Sequence, residues 1–266
     1  LFKLAGKLSP AEIHGRVIIL PAMNFPAFLN ASRTSPIDKG NLNRSFPGKA
    51  DGTVTQKIAD YVLRHLVPEA DIVLDLHSGG KTLDFIPFAA VHVLEDKEQE
   101  ARCIAAMKAF AAPYSMMMLE LDSVGMFDTV VEEAGKTFVT TELGGGGSTT
   151  AERVAIADRG VRNLLIHAGI LTGEPDVPDE GSVMLDMPDG NCFVASVSGG
   201  LFEPCVDLGE TVLRGDLIAR VYDANRTGGV PTEYKAPRDG IVACRHFPGL
   251  IKTGDCLAVI AEVVGK

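Results

Sequence analysis

Three short segments carry side chains that could do chemistry together: NLNRSFPG (41–48), LDLHSGG (74–80) and TTELGGGG (140–147). The second and third each place a polar residue, His77 or Glu142, at the end of an apolar run and follow it closely with glycine. An imidazole can bind zinc, and a nearby carboxylate can act as general base toward metal-bound water. In the first segment Arg44 offers a planar fork suited to a substrate carboxylate, with the Asn43 amide beside it. Asp75, two residues before His77, could orient the imidazole from behind, although strand alternation also allows it to point away. Each residue has a plainer reading. A lone histidine at a strand end is more often structural than a ligand, Glu142 could be solvated or cap a helix, and Arg44 could form an ordinary surface ion pair. The glycines at 144–147 resemble a phosphate loop, but no GK[ST] follows them.

These segments need elements to hold them. Periodicity predicts a helix over 1–8, a buried strand at GRVIILPAMN (15–24) and an amphipathic helix over 52–67. The strand DIVLDLH (71–77) follows, then a strand over 88–94 and a helix over 97–112. Residues 114–121 read as a strand, 126–134 as a short helix, 136–147 as a strand running into glycines and 150–171 as a long helix. Strands alternating with helices imply an α/β fold, a mostly parallel mixed sheet with helices on both faces. Ligands bind beyond the carboxyl ends of such strands, which would bring His77 and Glu142 to one edge. TGEPDVPDEG (172–181) reads as a linker, dividing an α/β domain (1–173) from a β-rich domain (182–266). Two phrases in the second part resemble each other, VDLGETVLRGDLIARV and PGLIKTGDCLAVIAEV. A pseudo-repeat of this kind suits a small β-barrel or sandwich.

The bulk composition narrows the function classes. The chain has 266 residues, 46% hydrophobic and 23% charged, which is ordinary for a globular protein. A formal net charge of -10 argues against nucleic acid or an anionic membrane as partner. Five cysteines with no CxxC pair suggest reduced thiols and a cytoplasmic location. The start, LFKLAGKL, has neither an initiator Met nor an N-cap and reads as the back half of a helix. The expectation is that further chain precedes it.

Taken together, NLNRSFPG, DLHSGG and TELGGGG resemble the succinylglutamate desuccinylase/aspartoacylase family, relatives of the zinc carboxypeptidases. NFPAF, LNRSFPG and LGGGG are most similar to its N-acetyl-diaminobutyrate deacetylase branch, which serves ectoine degradation. The resemblance implies a zinc carboxypeptidase-like fold, one zinc per chain and hydrolysis of an N-acyl amino acid. It makes His77 a zinc ligand, Glu142 the catalytic glutamate, and Asn43 with Arg44 the pair that binds the substrate carboxylate. It also implies an arginine that polarises the scissile carbonyl. Pro26 stands where some members carry it, and Arg33 in NASRTSPID is the substitute. The family's other two zinc ligands lie in an H-G-x-E segment with no match here. His14-Gly15 is followed by Arg16 and Val17 and reads as a decoy, so these ligands are expected upstream of Leu1.

The resemblance leaves the acyl amino acid open among acetyl-diaminobutyrate, succinylglutamate and acetyl-aspartate, and leaves self-association open. YKAPRDGIV followed by GD resembles a biotinyl/lipoyl-type barrel. The connecting stretch DANRTGGVPTE contains no lysine, and Lys235 follows it, so a structural barrel without a covalent cofactor is expected. The competing class is a non-catalytic small-molecule binder of the same fold.

Overall fold

The computed structural model describes residues 1–118 and 123–264. The chain opens with α1 (Phe2–Lys7) and α2 (Phe25–Leu29), and the longer α3 (Val54–Tyr61) follows. A reciprocal capping box starts α3: the Thr53 side chain accepts from the Gln56 N–H, and the Gln56 side chain accepts from the Thr53 N–H at 3.0 Å. The helix continues as a π turn through Leu66. Then come β1 (Ile72–His77), β2 (Leu83–Phe85), β3 (Phe88–His92) and α4 (Lys97–Phe110). Asp96 caps α4, accepting from the Glu98 and Gln99 N–H groups at 2.9 and 3.1 Å. β4 (Tyr114–Met118), α5 (Phe127–Glu133), β5 (Thr137–Glu142) and α6 (Ala151–His167) complete this part. Of the strand expected over 114–121, the last three residues lie outside the described ones.

One expected element differs. Residues 15–24 form no ladder strand among the described residues, and Ile18 and Leu20 are 42% and 40% exposed. Their β-branched and apolar composition favours extended backbone, but a strand exists only when a neighbour takes its N–H and C=O groups. β1 pairs with β5 on one side, and no described strand pairs with its other edge.

After the linker come β6 (Val183–Met187), β7 (Phe193–Ala195), β8 (Gly200–Pro204), β9 (Thr211–Val212), β10 (Leu217–Tyr222), β11 (Thr232–Lys235), β12 (Gly240–His246), β13 (Leu250–Ile251) and β14 (Cys256–Val263). The main sheet runs β1-β5-β3-β4-β6-β14-β12-β2, with β7 on β14 and β9 on β12. Its pairs β1–β5, β3–β4 and β4–β6 are parallel, while β3–β5 is antiparallel. The fold is thus the α/β arrangement expected, a mostly parallel mixed sheet in this half. One face meets α4 and α6, where Met107, Phe110 and Leu164 pack on Val91 and Val139. The other meets α3 and α5, where Ala59, Phe127 and Val131 pack near Phe138 and Val73.

The sheet does not stop at the linker. β6 lies beside β4, and β14 pairs antiparallel with β6. β14 is apolar over almost every position because both its faces are covered. Val259 and Ala261 face one core, while Ala258 and Ile260 face the core shared with β10 and β11. A second sheet, β11-β10-β8-β13, closes over that core as a sandwich. The two similar phrases build matching corners. Asp216 accepts the Leu213 N–H at 2.8 Å and Asp255 accepts the Lys252 N–H at 2.9 Å. Each turn's glycine, Gly215 or Gly254, takes positive φ, which a side chain would resist. Among the described residues, no helix is long and apolar enough to cross a membrane.

Candidate active site

The register of β1 against β5 assembles the centre. The two strands are parallel, with His77 opposite Glu142 and Asp75 opposite Thr140. Side chains alternate along a strand, so Val73, Asp75 and His77 share one face, as do Phe138, Thr140 and Glu142. Val73 and Phe138 belong to the cluster packed under α3 and α5, so His77 and Glu142 point to that side, at the carboxyl edge of both strands. The open question over Asp75 is answered by the same parity: its Oδ2 lies 2.7 Å from His77 Nε2. This contact fixes the ring and leaves Nδ1 as the nitrogen free of it.

The electrostatics follow from this packing. Burial works against a charged His77 ring, but the Asp75 hydrogen bond and charge, with the charges of Glu142 and Asp128, raise its pKa to about 9. Burial also pushes Glu142 up, with help from the Asp75 charge, while His77 and Arg33 pull it down, leaving it at about 7. Glu142 is neither of the plainer things open to it. Its Oε2 is buried with no hydrogen-bond partner among the described residues, and α6 is capped by Thr150, whose hydroxyl accepts the Arg153 N–H at 3.2 Å.

The glycine run after Glu142 is a seam. Leu143 N–H bonds His77 O at 2.9 Å, Gly79 N–H bonds Gly144 O at 2.9 Å, and Gly146 N–H bonds Leu83 O at 2.9 Å. A β-carbon on Gly145 would overlap the Leu83 carbonyl, and one on Gly144 would overlap the Arg153 guanidinium. That guanidinium is paired with Asp84 on β2 at 2.9 Å, with both side chains largely buried. The glycines are thus demanded by close approach of β2 and α6, and this seam holds the end of β5 in place.

The first motif folds against the start of α5. Residues Leu42–Arg44 form a single 3₁₀ turn, started by Asn41 accepting the Asn43 N–H at 3.2 Å. Asn43 Oδ1 accepts the Phe127 N–H at 2.8 Å, tying the turn to α5 and leaving the Nδ2 donor for other use. Arg44 is exposed and its Nη1 donates to the Asn43 carbonyl at 2.6 Å. Arg33 is exposed in the loop before it, and its charge reaches Glu142. That loop is anchored by Asp38, which accepts from the Thr55 N–H at 2.7 Å and from the Thr55 hydroxyl at 2.8 Å.

Two features were not legible in the sequence. Asp128, read only as part of a short helix, is buried and close enough to bear on His77. The Arg153–Asp84 pair joins residues far apart in the chain. His14, by contrast, donates its backbone N–H to Ile170 O, beyond the C-terminal end of α6. That helix runs away from the Glu142 edge, so His14 stands at the opposite end of the sheet.

A metal ligand set can be tested against these residues. His77, pinned by Asp75, fits one position of a zinc site, and the unpartnered Glu142 Oε2 fits a carboxylate facing a bound group. Among the described residues no group of three His, Cys, Asp or Glu side chains could close a metal site. The residues therefore fit one ligand position and not a complete set.

Residues 1–168 match the model of the succinylglutamate desuccinylase/aspartoacylase catalytic domain. The chain belongs to this family. It is 58% identical over 264 residues to the N-alpha-acetyl-L-2,4-diaminobutyric acid deacetylase of Halomonas elongata, covering 99% of this chain and 77% of that protein. The product-bound structure of the ectoine utilization protein EutE (DoeB) from Ruegeria pomeroyi superimposes with a TM-score of 0.96 at 61% identity, covering 98% of this chain and 79% of that one. A succinylglutamate desuccinylase/aspartoacylase from Rhodobacter sphaeroides gives a TM-score of 0.93 at 36% identity, covering 98% and 80%. Family membership makes the chain an N-acyl amino acid deacylase, a hydrolase of linear amides.

Proposed function

We propose that this deacylase removes the acetyl group from N-α-acetyl-2,4-diaminobutyrate in ectoine degradation, with zinc as its metal and the cytoplasm as its location. The observation that carries the chemistry is the His77–Glu142 pair at one strand edge, with Asp75 behind the imidazole. The similarity to the Halomonas and Ruegeria proteins supports the substrate, and the five free cysteines support a reducing compartment.

Each residue has a role that its surroundings favour. Arg44 holds the substrate α-carboxylate, and Asn43 donates to it through Nδ2, since Oδ1 is already committed to α5. Glu142 serves as general base and then as general acid to the leaving amine, which a carboxylic group near pKa 7 can do at neutral pH. Arg33 steadies the negative charge that develops on the carbonyl oxygen. His77 is a zinc ligand oriented by Asp75. A zinc ion bound there would supply Lewis acidity toward the amide carbonyl and lower the pKa of water.

The test is a side-by-side assay of acetyl-diaminobutyrate, acetyl-aspartate and succinylglutamate with zinc-loaded protein. Preference for the first is expected. Preference for succinylglutamate would overturn the substrate. Hydrolysis of none would overturn the catalytic reading in favour of the binding module.

A further inference from the structure

The wall facing His77 and Glu142 contains a buried carboxylate with no assigned role. Asp128 is 9% exposed and sits in the first turn of α5. Three observations put it at the site. The loop 134–136 reverses the chain between α5 and β5, so the first turn of α5 is directed toward the carboxyl edge of β5, where Glu142 lies. α5 packs on the face of the sheet that carries Asp75, His77 and Glu142. The segment leading into the helix is stitched to the substrate-binding turn: Phe46 N–H bonds Gly125 O at 3.2 Å, and Asn43 Oδ1 takes the Phe127 N–H at 2.8 Å. Gly125, at φ +74, lies so close to the Arg44 backbone that an added β-carbon would sit 2.7 Å from its carbonyl oxygen.

The partners of Asp128 are few. Its Oδ1 accepts the N–H of its own neighbour Thr129 at 2.7 Å and a longer contact from the Thr129 hydroxyl at 3.4 Å. Among the described residues, Oδ2 has no hydrogen bond and neither oxygen has an ion pair. A largely buried carboxylate with no hydrogen-bonded cation is costly, although the charge of His77 acts on it from nearby. That cost is tolerated where a ligand supplies the opposite charge.

We propose that Asp128 selects the leaving amino acid, its carboxylate receiving the side-chain ammonium of an N-acyl diamino acid whose α-carboxylate is held by Arg44 and Asn43. The idea rests on the deacylase reading above and adds the residue that sets its substrate class. A carboxylate at this place attracts a cationic side chain, repels the anionic side chains of acetyl-aspartate and succinylglutamate, and is left unpaired by a neutral one. Sites that bury a polar group for one substrate discriminate strongly against analogues lacking its partner. The ordinary role for an acid in a first helical turn is to favour the helix dipole. That role would affect the fold and treat all substrates alike.

The discriminating pair of substrates is N-α-acetyl-2,4-diaminobutyrate and N-acetyl-norvaline, in which a methyl group replaces the ammonium. Wild-type protein should prefer the first by about 10²-fold or more in kcat/KM. Asp128→Asn should remove most of that preference, chiefly through KM for the diamino compound. Asp128→Glu should recover part of the preference. Equal losses on both substrates, or no change on either, would overturn the proposal. If Asp128→Asn fails to fold, Asp128→Glu carries the test: it keeps the charge but moves it, and unaltered discrimination would count against Asp128. If the wild type hydrolyses neither compound, the deacylase reading fails by itself. Calorimetric binding of 2,4-diaminobutyrate and norvaline then decides, with selective binding of the diamine by wild type but not Asp128→Asn supporting the role and its absence refuting it.

Discussion

Replacing Glu142 with Gln should make the protein nearly inactive and, above neutral pH, more stable. The two effects share one cause. The carboxyl is buried at the end of β5 and its pKa rises from the ordinary 4.5 to about 7. Between those values the folded chain holds a proton that the unfolded chain has released, so stability falls as pH rises from about 4.5 to 7 and stays reduced above it. At about 1.36 kcal/mol per pH unit, a difference of roughly 2.5 units costs about 3 kcal/mol. A glutamine amide avoids the ionisation but is itself polar and buried, so the gain should be about 2–3 kcal/mol. For a chain of this size that is roughly 5–10 °C in Tm. The assay is thermal unfolding of chelator-treated wild type and Glu142→Gln at pH 5 and pH 8, with kcat measured on zinc-loaded samples. The variant should melt higher at pH 8, the difference should nearly vanish at pH 5, and kcat should fall by about 10²-fold or more. A Tm difference independent of pH would refute the electrostatic argument, and retained turnover would refute the general-base role.

Other expectations follow from the same geometry. His77→Ala should lose zinc and activity but keep its far-UV spectrum, since the residue ends β1 and its ring is held by the Asp75 contact; stoichiometric zinc with normal turnover would remove it from the ligand set. Arg44→Lys keeps the charge but loses the two-pronged geometry, so kcat/KM should drop by the equivalent of roughly 1.5–3 kcal/mol, and an unchanged value would mean that the carboxylate is held elsewhere. Gly145→Ala places a methyl group against the Leu83 carbonyl and should destabilise by about 1–3 kcal/mol while displacing Glu142; denaturant melts and kcat together check it, and a neutral result on both would mean that the seam is slack.

The strand-end positions of the candidate residues His77 and Glu142 were legible in the sequence because their signals are local. An apolar run of the right length that stops at His77 or Glu142 places each at a strand end, and the glycines that follow announce close approach. Helical and strand periodicity mark the elements in the same local way, while the Thr53–Gln56 box and the Asp96 and Thr150 caps are supplied by the structure. The paired GD corners of the C-terminal part were visible for the same reason.

Other features required the tertiary structure, because they depend on which faces meet. Residues 15–24 have the composition of a strand, yet strand identity depends on a partner. The linker at 172–181 reads as a boundary in composition, whereas the pairing of β4 with β6 carries one sheet across it. Asp75 faces the imidazole because its parity matches that of His77 and because the ring turns toward it. Asp128 comes near His77 because α5 packs on that same face, and Gly144, Gly145 and Gly146 are explained by the close approach of Arg153, Leu83 and Phe247, which the local sequence does not show. The local chain fixes a residue's place along its own element. Its neighbours across the sheet are chosen by register and helix packing, which arise from burial summed over the whole fold.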